Sequence, residues 1–235
     1  MGTIDAARLR DAIGALREAL DAAASVSGRG PGDVELLLAG KYVSPEDVGV
    51  LLEAGVTRTG ENRLQDMEAK HRVAGNRLAF DFIGHLQRRK VRTVLPMVRL
   101  IHSVDSARLA AEIAARAEGD VRVLVELNID DEPTKSGVRP NDVEQFIEEV
   151  SMHENLVIGG LMVMPAPAAT PEDSRGAFAR ARELAQRLGE RWEGRHDMRD
   201  LSMGTSQDCV VAAEEGATIV RVGRGLIERG RTEWR

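Results

Sequence analysis

The chain has 235 residues, of which 43% are hydrophobic and 30% charged, the composition of an ordinary globular protein. Its net charge of −6 argues against a general nucleic-acid-binding role, which requires a basic surface. The single cysteine, Cys209, excludes an intramolecular disulfide and a cysteine metal cluster, and no apolar run approaches the roughly 20 residues that span a bilayer. We therefore expect a cytoplasmic enzyme or small-molecule-binding protein with neither a nucleic-acid nor a membrane partner.

The chain begins with a predicted helix over residues 3–26, where apolar residues recur at helical spacing. From residue 34 onward, short apolar runs alternate with segments of helical pattern. The predicted strands cover residues 34–41, 57–62, 79–86, 100–105, 121–129, 156–164, 201–204 and 217–225. Alternation of this kind predicts βαβ units. Eight such units close into a (β/α)8 TIM barrel, which we place at about residues 34–229.

A doubly wound open sheet is the rival fold, but that fold usually carries a glycine-rich phosphate loop after its first strand. The corresponding turn here reads GKYVSPED, and the chain contains neither GxGxxG nor GxxxxGK[ST]. No stretch is long enough to serve as a linker between domains. We therefore predict a single domain over residues 1–235.

Functional groups of a barrel lie where the strands end. Lys41 follows the first predicted strand, and a partly desolvated lysine is nucleophilic enough for Schiff-base chemistry. The segments 202–206 and 223–225 follow the last two strands, where barrels commonly bind phosphate through backbone N–H groups. Arg221 would add a fixed cation nearby. A reactive amine and a phosphate cradle at one mouth fit pyridoxal 5′-phosphate (PLP).

Each of these residues also has a structural interpretation. Lys41 could be a surface or salt-bridged lysine, the segment 202–206 could be a turn and helix cap, and Arg221 could pair with Glu126. His85 and His102 are expected to pack or form hydrogen bonds, because no second ligand sits at i+4 from either or in a carboxylate cluster, and no metal site is predicted. The remaining candidates are expected to be core or barrel filling; these are Cys209, Met162, Met164 and Met203.

Seven motifs in order resemble a known family: LLLAGK, RTGENRLQD, FDFIGHLQRRKVR, IHSVDSARLA, VLVELNIDDEPTKSGV, GLMVMPAP and LSMGTSQDCVVAAEEGATIVRVGRGLI. The chain resembles the single-domain pyridoxal phosphate homeostasis proteins, whose fold is similar to the N-terminal barrel of alanine racemase. The resemblance covers nearly the whole chain, from about Leu37 to Arg229. It implies a PLP-binding barrel.

The resemblance also implies a role for each matching residue. Lys41 would hold PLP as a Schiff base and Asn62 would line the pocket. Arg221 would face the pyridine nitrogen, where a cation disfavours protonation and so weakens the ring as an electron sink. The cofactor phosphate would lie near the remaining site residues, the side chains of Ser202, Thr205 and Ser206 and the backbone N–H groups of Gly223 and Arg224.

The chain departs from the family pattern at three places. Gly40-Lys41-Tyr42 stands where Ser-Lys-Thr is common, and Arg88-Arg89-Lys90 stands where Asn-Lys is common. Arg224 replaces the hydroxyl residue that usually follows the last strand's glycine, and Leu226-Ile227-Glu228 replaces the IFG ending. Lys135, in PTKSG, matches a lysine that family members use as a secondary cofactor contact, although an exposed loop lysine is an equal interpretation.

These observations favour a carrier, a monomer or weak dimer that buffers PLP in the cytoplasm and hands it to apo PLP-dependent enzymes. The alternative is a PLP-dependent amino-acid racemase. Only about ten residues follow the last strand, too few for the added domain that supplies a racemase's second base, so catalysis is not expected. A third possibility is an aldolase that uses Lys41 without a cofactor.

Overall fold

The computed structural model describes residues 3–230, in which eight parallel strands form a closed barrel surrounded by helices. The strands are β1 (Glu35–Ala39), β2 (Arg58–Glu61), β3 (Ala79–Phe82), β4 (Val98–Val104), β5 (Val121–Leu127), β6 (Leu156–Val163), β7 (Asp200–Thr205) and β8 (Ile219–Val222). Each strand pairs with the next in sequence, and β1 pairs with β8 to close the ring. The predicted (β/α)8 architecture is therefore confirmed.

Helices cover the outside of the barrel and connect successive strands. They are α1 (Ala6–Val26), α2 (Val48–Glu53), α3 (Leu64–Ala74), α4 (Val91–Val94), α5 (Ala107–Arg116), α6 (Val143–Ser151), α7 (Arg175–Arg191), α8 (Cys209–Glu214) and α9 (Arg224–Arg229). The predicted N-terminal helix is present as α1. It begins after Asp5, whose carboxylate accepts a hydrogen bond from the Arg8 N–H, and it packs against α8 and α9. None of the helices within residues 3–230 is long and apolar enough to cross a membrane.

Several element boundaries differ from the sequence-based prediction. The first strand ends at Ala39, not Lys41, because its last pairing partner on β2 is Gly60. Residues 40–42 then form a 3-10 turn. The segment 217–225 was predicted as strand throughout, but β8 ends at Val222 and α9 begins at Arg224.

Two apolar layers hold the barrel together. Inside the ring, strand side chains form a small cluster of Leu37, Leu100, Leu124, Met162 and Ile219. The larger cluster lies between the outward-facing strand residues and the helices. Met162 fills the interior as predicted, whereas the prediction is wrong for two other methionines. Met203 packs in the outer layer, and Met164, just beyond β6, is 61% exposed.

Candidate functional site

Lys41 is an exposed residue in the 3-10 turn Gly40–Tyr42 that follows β1. Its Nζ lies 5.1 Å from the centroid of the Tyr42 ring. The sequence predicted a lysine at the end of a buried strand, and the turn instead carries the amine out to solvent. The partial desolvation that was expected to make Lys41 nucleophilic is therefore not found, and its bond to PLP stays a prediction.

Tyr42 lies between two cations. The Arg224 guanidinium carbon is 5.4 Å from the centroid of the same ring that Lys41 approaches. Burial tends to raise the pKa of Tyr42, but hydrogen bonding and charge from Lys41 and Arg224 outweigh it and lower the pKa. Tyr42 and Arg224 are two of the departures from the family pattern, and the fold brings them into contact.

Lys41 and Arg224 line the same open pocket, between the β1–α2 connection and α9. Its volume is about 660 Å³, and its other lining residues are Tyr42, Val43, Ser44, Asp47, Ile227 and Glu228. The turn after the first strand and the helix after the last strand therefore contribute the two cations of one pocket.

Only some of the residues predicted to bind the PLP phosphate lie close together. The Gly223 N–H donates a hydrogen bond to Ser206 Oγ at 3.2 Å, so the β7–α8 and β8–α9 loops touch beside the pocket. Thr205 Oγ1 donates to Asp208 Oδ1 at 3.0 Å, and the Thr205 N–H donates to the same oxygen. Gly223 has little room for a side chain, because a Cβ there would lie 3.1 Å from the Tyr42 ring.

Ser202 was expected beside Ser206, but it is fully buried inside the barrel. Its hydroxyl accepts a hydrogen bond from Arg221 NH1 at 2.7 Å. Arg221 also donates to the backbone oxygens of Ser202 and Val163, at 2.5 and 3.0 Å. The structure thus places Ser202 as a partner of Arg221, away from the loop that carries Ser206.

Arg221 has no ion pair with Glu126, whose carboxylate accepts a hydrogen bond from Ser136 instead. Burial lowers the pKa of Arg221 to about 10, so the guanidinium stays cationic at neutral pH. Three of its five N–H groups are used by Ser202 and Val163. The remaining donors are free to meet an acceptor such as a ring nitrogen.

A chain of hydrogen bonds continues from Arg221 through the barrel interior. His102 Nδ1 lies 2.9 Å from Ser202 Oγ, and His102 Nε2 lies 2.9 Å from Asp81 Oδ2. Burial lowers the pKa of His102, so the ring is neutral and donates from Nε2 to the carboxylate. Asp81 also accepts from Arg58 Nε at 2.9 Å. His102 is therefore a hydrogen-bonding residue, as predicted.

Asn62 is exposed at the end of β2. Its backbone packs against Gly84, where a Cβ would lie 2.4 Å from the Asn62 carbonyl oxygen. The described contacts do not join its side chain to Lys41, so its place in the pocket stays a prediction. Lys135 Nζ lies 3.1 Å from Glu132 and 3.6 Å from Asp130, and its role also stays a prediction.

Two further candidates occupy structural positions. Cys209 is buried at the start of α8, and burial raises the pKa of its thiol, which suits the predicted core role. His85 is exposed, with Nδ1 3.4 Å from Asp105. Within residues 3–230, no group of three metal-ligating side chains is placed to hold an ion.

Lys70 and Glu61 were missed by the sequence analysis. Both are buried, and Lys70 Nζ lies 2.8 Å from Glu61 Oε1 and 2.6 Å from the Gly40 carbonyl oxygen. A signal was present, because Lys70 shares the buried face of α3 with Met67 and Ala74. A lysine within an apolar helical stripe indicates a buried, paired charge.

Comparison with known proteins places the chain in a family. The model of the alanine racemase N-terminal domain matches residues 41–227. The pyridoxal phosphate homeostasis protein of Aquifex aeolicus is 39% identical over 210 residues, covering 88% of this chain and 91% of that protein. The protein of the same name from Pseudomonas aeruginosa is 35% identical over 208 residues, covering 87% of this chain and 88% of its own length.

A solved structure agrees with these relatives. PipY of Synechococcus elongatus, solved with PLP bound, matches with a TM-score of 0.79 and 27% identity, covering 93% of this chain and 99% of that one. The barrel fold is thus shared along nearly the full length of both chains. The chain belongs to the pyridoxal phosphate homeostasis protein family, which is built on the alanine racemase N-terminal fold.

Proposed function

We propose that this protein binds PLP in the cytoplasm, holds it through Lys41 and passes it to apo PLP-dependent enzymes. The observation that carries the proposal is the pocket that Lys41 shares with Arg224, beside the Gly223–Ser206 contact. The relatives' shared name and the PLP bound to PipY support the same ligand.

The residues present suit each part of PLP. Lys41 would bond through Nζ to the aldehyde carbon as a Schiff base, with loss of one water. Arg224 and Ser206 would supply a cation and a hydroxyl for the phosphate. Thr205 would first have to release its two hydrogen bonds to Asp208, and Gly223 its bond to Ser206. Arg221 keeps spare N–H donors for the pyridine nitrogen. Bound PLP would supply an aldehyde and an electron-accepting ring.

The charge on Arg221 also bears on catalysis. A guanidinium that stays cationic at neutral pH discourages a second positive charge on the pyridine nitrogen, and an unprotonated ring is a weaker electron sink. The relatives are named homeostasis proteins rather than enzymes. We therefore propose a carrier without robust catalysis. Amino-acid racemization is the alternative, since the family model is that of a racemase domain.

One experiment tests the ligand and the lysine together. The purified protein is mixed with PLP, its visible spectrum is recorded, and borohydride reduction is followed by peptide mapping. We expect a visible absorption band and a reduced tag on the peptide that contains Lys41, both lost in Lys41→Ala. A tag on another peptide, or no band, would overturn the assignment.

A second assay separates carrier from racemase. The loaded protein is incubated with D- and L-alanine in deuterated water, and exchange at the α-carbon is followed by NMR. A carrier shows exchange no faster than free PLP, whereas a racemase shows enzyme-dependent exchange. Transfer is tested by adding an apo PLP-dependent enzyme and measuring the recovery of its activity.

A further inference from the structure

Lys70 is the most deeply buried lysine in the described part of the chain, with 1% of its surface exposed. It lies on α3, on the helix face that packs against the barrel. Its ammonium is 2.8 and 2.9 Å from the two carboxylate oxygens of Glu61, which is itself fully buried. Its third contact, at 2.6 Å, is the carbonyl oxygen of Gly40.

These three contacts use the full donor capacity of the ammonium. The Gly40 carbonyl is also engaged twice, because it accepts a hydrogen bond from the Val43 N–H at 2.9 Å. That second bond closes the 3-10 turn on which Lys41 sits. Lys70 therefore grips the same backbone group that defines the turn.

The fit around Gly40 is close. A Cβ at this position would lie 1.9 Å from Glu61 Oε1 and 3.1 Å from Lys70 Nζ. The carboxylate cannot move aside cheaply, since both of its oxygens are bonded to Lys70 in a buried site. Gly40 thus lets the end of β1 approach the ion pair directly.

The pair joins two parts of the candidate site. Gly40 precedes Lys41, and Glu61 precedes Asn62 at the end of β2. Lys70 bonds to both Gly40 and Glu61, so it fixes the ends of the two strands relative to each other.

Stability alone is a weak reason for such a pair. Removing two charges from water is costly, and replacing a buried ion pair by well-packed apolar residues is often neutral or stabilising. What apolar residues cannot provide is a directional bond to the Gly40 carbonyl. The benefit specific to Lys70 is therefore control of the backbone beside Lys41.

We propose that the buried Lys70–Glu61 pair is a positioning device that holds the turn 40–42 so that the Lys41 amine meets its aldehyde. The inference rests on the proposed function. Lys70 does not itself react, because it is buried and all three of its N–H groups are engaged. The two lysines therefore have different roles at the Gly40–Lys41 peptide group. Lys70 is held in place by its bond to the carbonyl oxygen, whereas Lys41 carries the amine that is proposed to bind PLP.

The test compares Lys70→Met with the double variant Glu61→Leu/Lys70→Met. The single change leaves the Glu61 carboxylate buried and unpaired, so it lowers the melting temperature. The double change replaces both charges by apolar side chains that can pack against each other, so we expect it to recover stability. Neither variant can bond to the Gly40 carbonyl, so we expect PLP affinity in both to fall by about tenfold or more, the scale seen when supporting contacts of a site are lost.

The readouts separate positioning from folding. Melting temperature reports stability, absorbance titration reports PLP affinity, and the circular dichroism of the visible band reports the orientation of bound PLP. Arg122→Met is the matched control, because it breaks the ion pairs with Asp197 and Asp200 at the opposite end of the barrel. It should lose stability while keeping PLP affinity and the visible circular dichroism.

A double variant that recovers stability but keeps weak, altered PLP binding supports the proposal. A double variant that recovers both overturns it, because the pair would then serve folding only. If neither variant folds, Glu61→Gln/Lys70→Met is used, because it leaves no buried charge and still lacks the bond to the Gly40 carbonyl. Wild-type PLP binding by this folded variant also overturns the proposal. A wild-type protein that gives no visible band overturns the proposed function, and this inference with it.

Discussion

Arg221 donates a hydrogen bond to the hydroxyl of Ser202 at 2.7 Å, deep inside the barrel. The hydroxyl proton then points to His102 Nδ1, 2.9 Å away, so one small side chain connects a cation to a neutral imidazole. Ser202 thereby helps to orient the guanidinium that we propose to face the pyridine ring, together with the two backbone oxygens that it also meets.

Replacing Ser202 by Ala should destabilise the fold. The change leaves His102 Nδ1 and one Arg221 N–H without a partner in a buried site, which costs about 1–3 kcal/mol. Urea unfolding measures the loss. Ser25→Ala is the control, because the Ser25 hydroxyl bonds to Ala22 O on an exposed helix face and its removal should change stability by about 0.5 kcal/mol or less. A Ser202→Ala protein as stable as wild type would contradict this account.

We expect the positive charge of Arg224 to bind the PLP phosphate in place of the hydroxyl group that is common at this position in the family. We expect Arg224→Met to weaken PLP binding by about tenfold, the effect of losing one charge-assisted hydrogen bond at an exposed site. Arg224→Thr restores a hydroxyl and should lose less. Competition by inorganic phosphate measures whether the lost affinity belongs to the phosphate group.

Arg229→Met is the control for the Arg224 variants, because it removes an exposed arginine from the same helix. It should leave PLP affinity unchanged. Equal affinities for wild type and Arg224→Met would show that the phosphate lies elsewhere.

Gly40→Ala should destabilise the protein by about 1–3 kcal/mol, the usual cost of overpacking. The new Cβ would lie 1.9 Å from Glu61 Oε1, which Lys70 holds in place. The matched control is Gly14→Ala, within α1, where a Cβ meets nothing within 4 Å. That change should stabilise by roughly 0.5–1 kcal/mol, because alanine is the better helix former. Thermal unfolding of the Gly40→Ala and Gly14→Ala proteins tests both expectations. Stabilisation by both changes would contradict the close packing at Gly40.

Stability should fall in mild acid because of His196. Its Nδ1 accepts from the Ile158 N–H at 3.3 Å and its Nε2 lies 2.9 Å from Ser151 Oγ, an arrangement that requires the neutral ring. Burial, and then the Arg195 charge, lower the pKa of His196 to about 4. The unfolded chain takes up this proton near pH 6.5 and the folded protein does not, so stability is lost as pH falls from about 6.5 to about 4.

The measurement for His196 is urea unfolding at several pH values across that window. His196→Gln should flatten the pH dependence relative to wild type, although it lowers stability throughout. Parallel curves for wild type and His196→Gln would contradict the assignment.

Much of the fold could be predicted because it follows from local pattern. Short apolar runs that alternate with helical segments gave the order of all eight strands and the position of α1. Boundaries were less accurate because strands end where pairing ends: Lys41 lies beyond the last β1–β2 pair, Ala39 with Gly60. The start of α9 was missed because the predicted last strand was extended past Val222 through the residues 223–225, where the helix begins.

Parts of the candidate site depend on directions that local pattern does not fix. Ser202 and Ser206 are close in sequence, yet one points into the barrel and the other lies exposed in the loop beside Gly223. The contact between Tyr42 and Arg224 arises only because β1 and β8 are neighbours in the closed ring. The Lys70–Glu61 pair joins a helix to two strand ends, which a pattern within one element cannot reveal.

The pairing of β1 with β8 has a consequence for how the protein matures. Leu37 lies beside Arg221, so the residues around Lys41 meet their partners from the last strand only after the whole barrel has been synthesised. Contacts between such distant parts of a sequence form late, because the intervening loop must be closed first. A nascent chain on the ribosome therefore exposes Lys41 before the pocket that this residue shares with Arg224 exists, and that pocket can form only once synthesis of the barrel is complete.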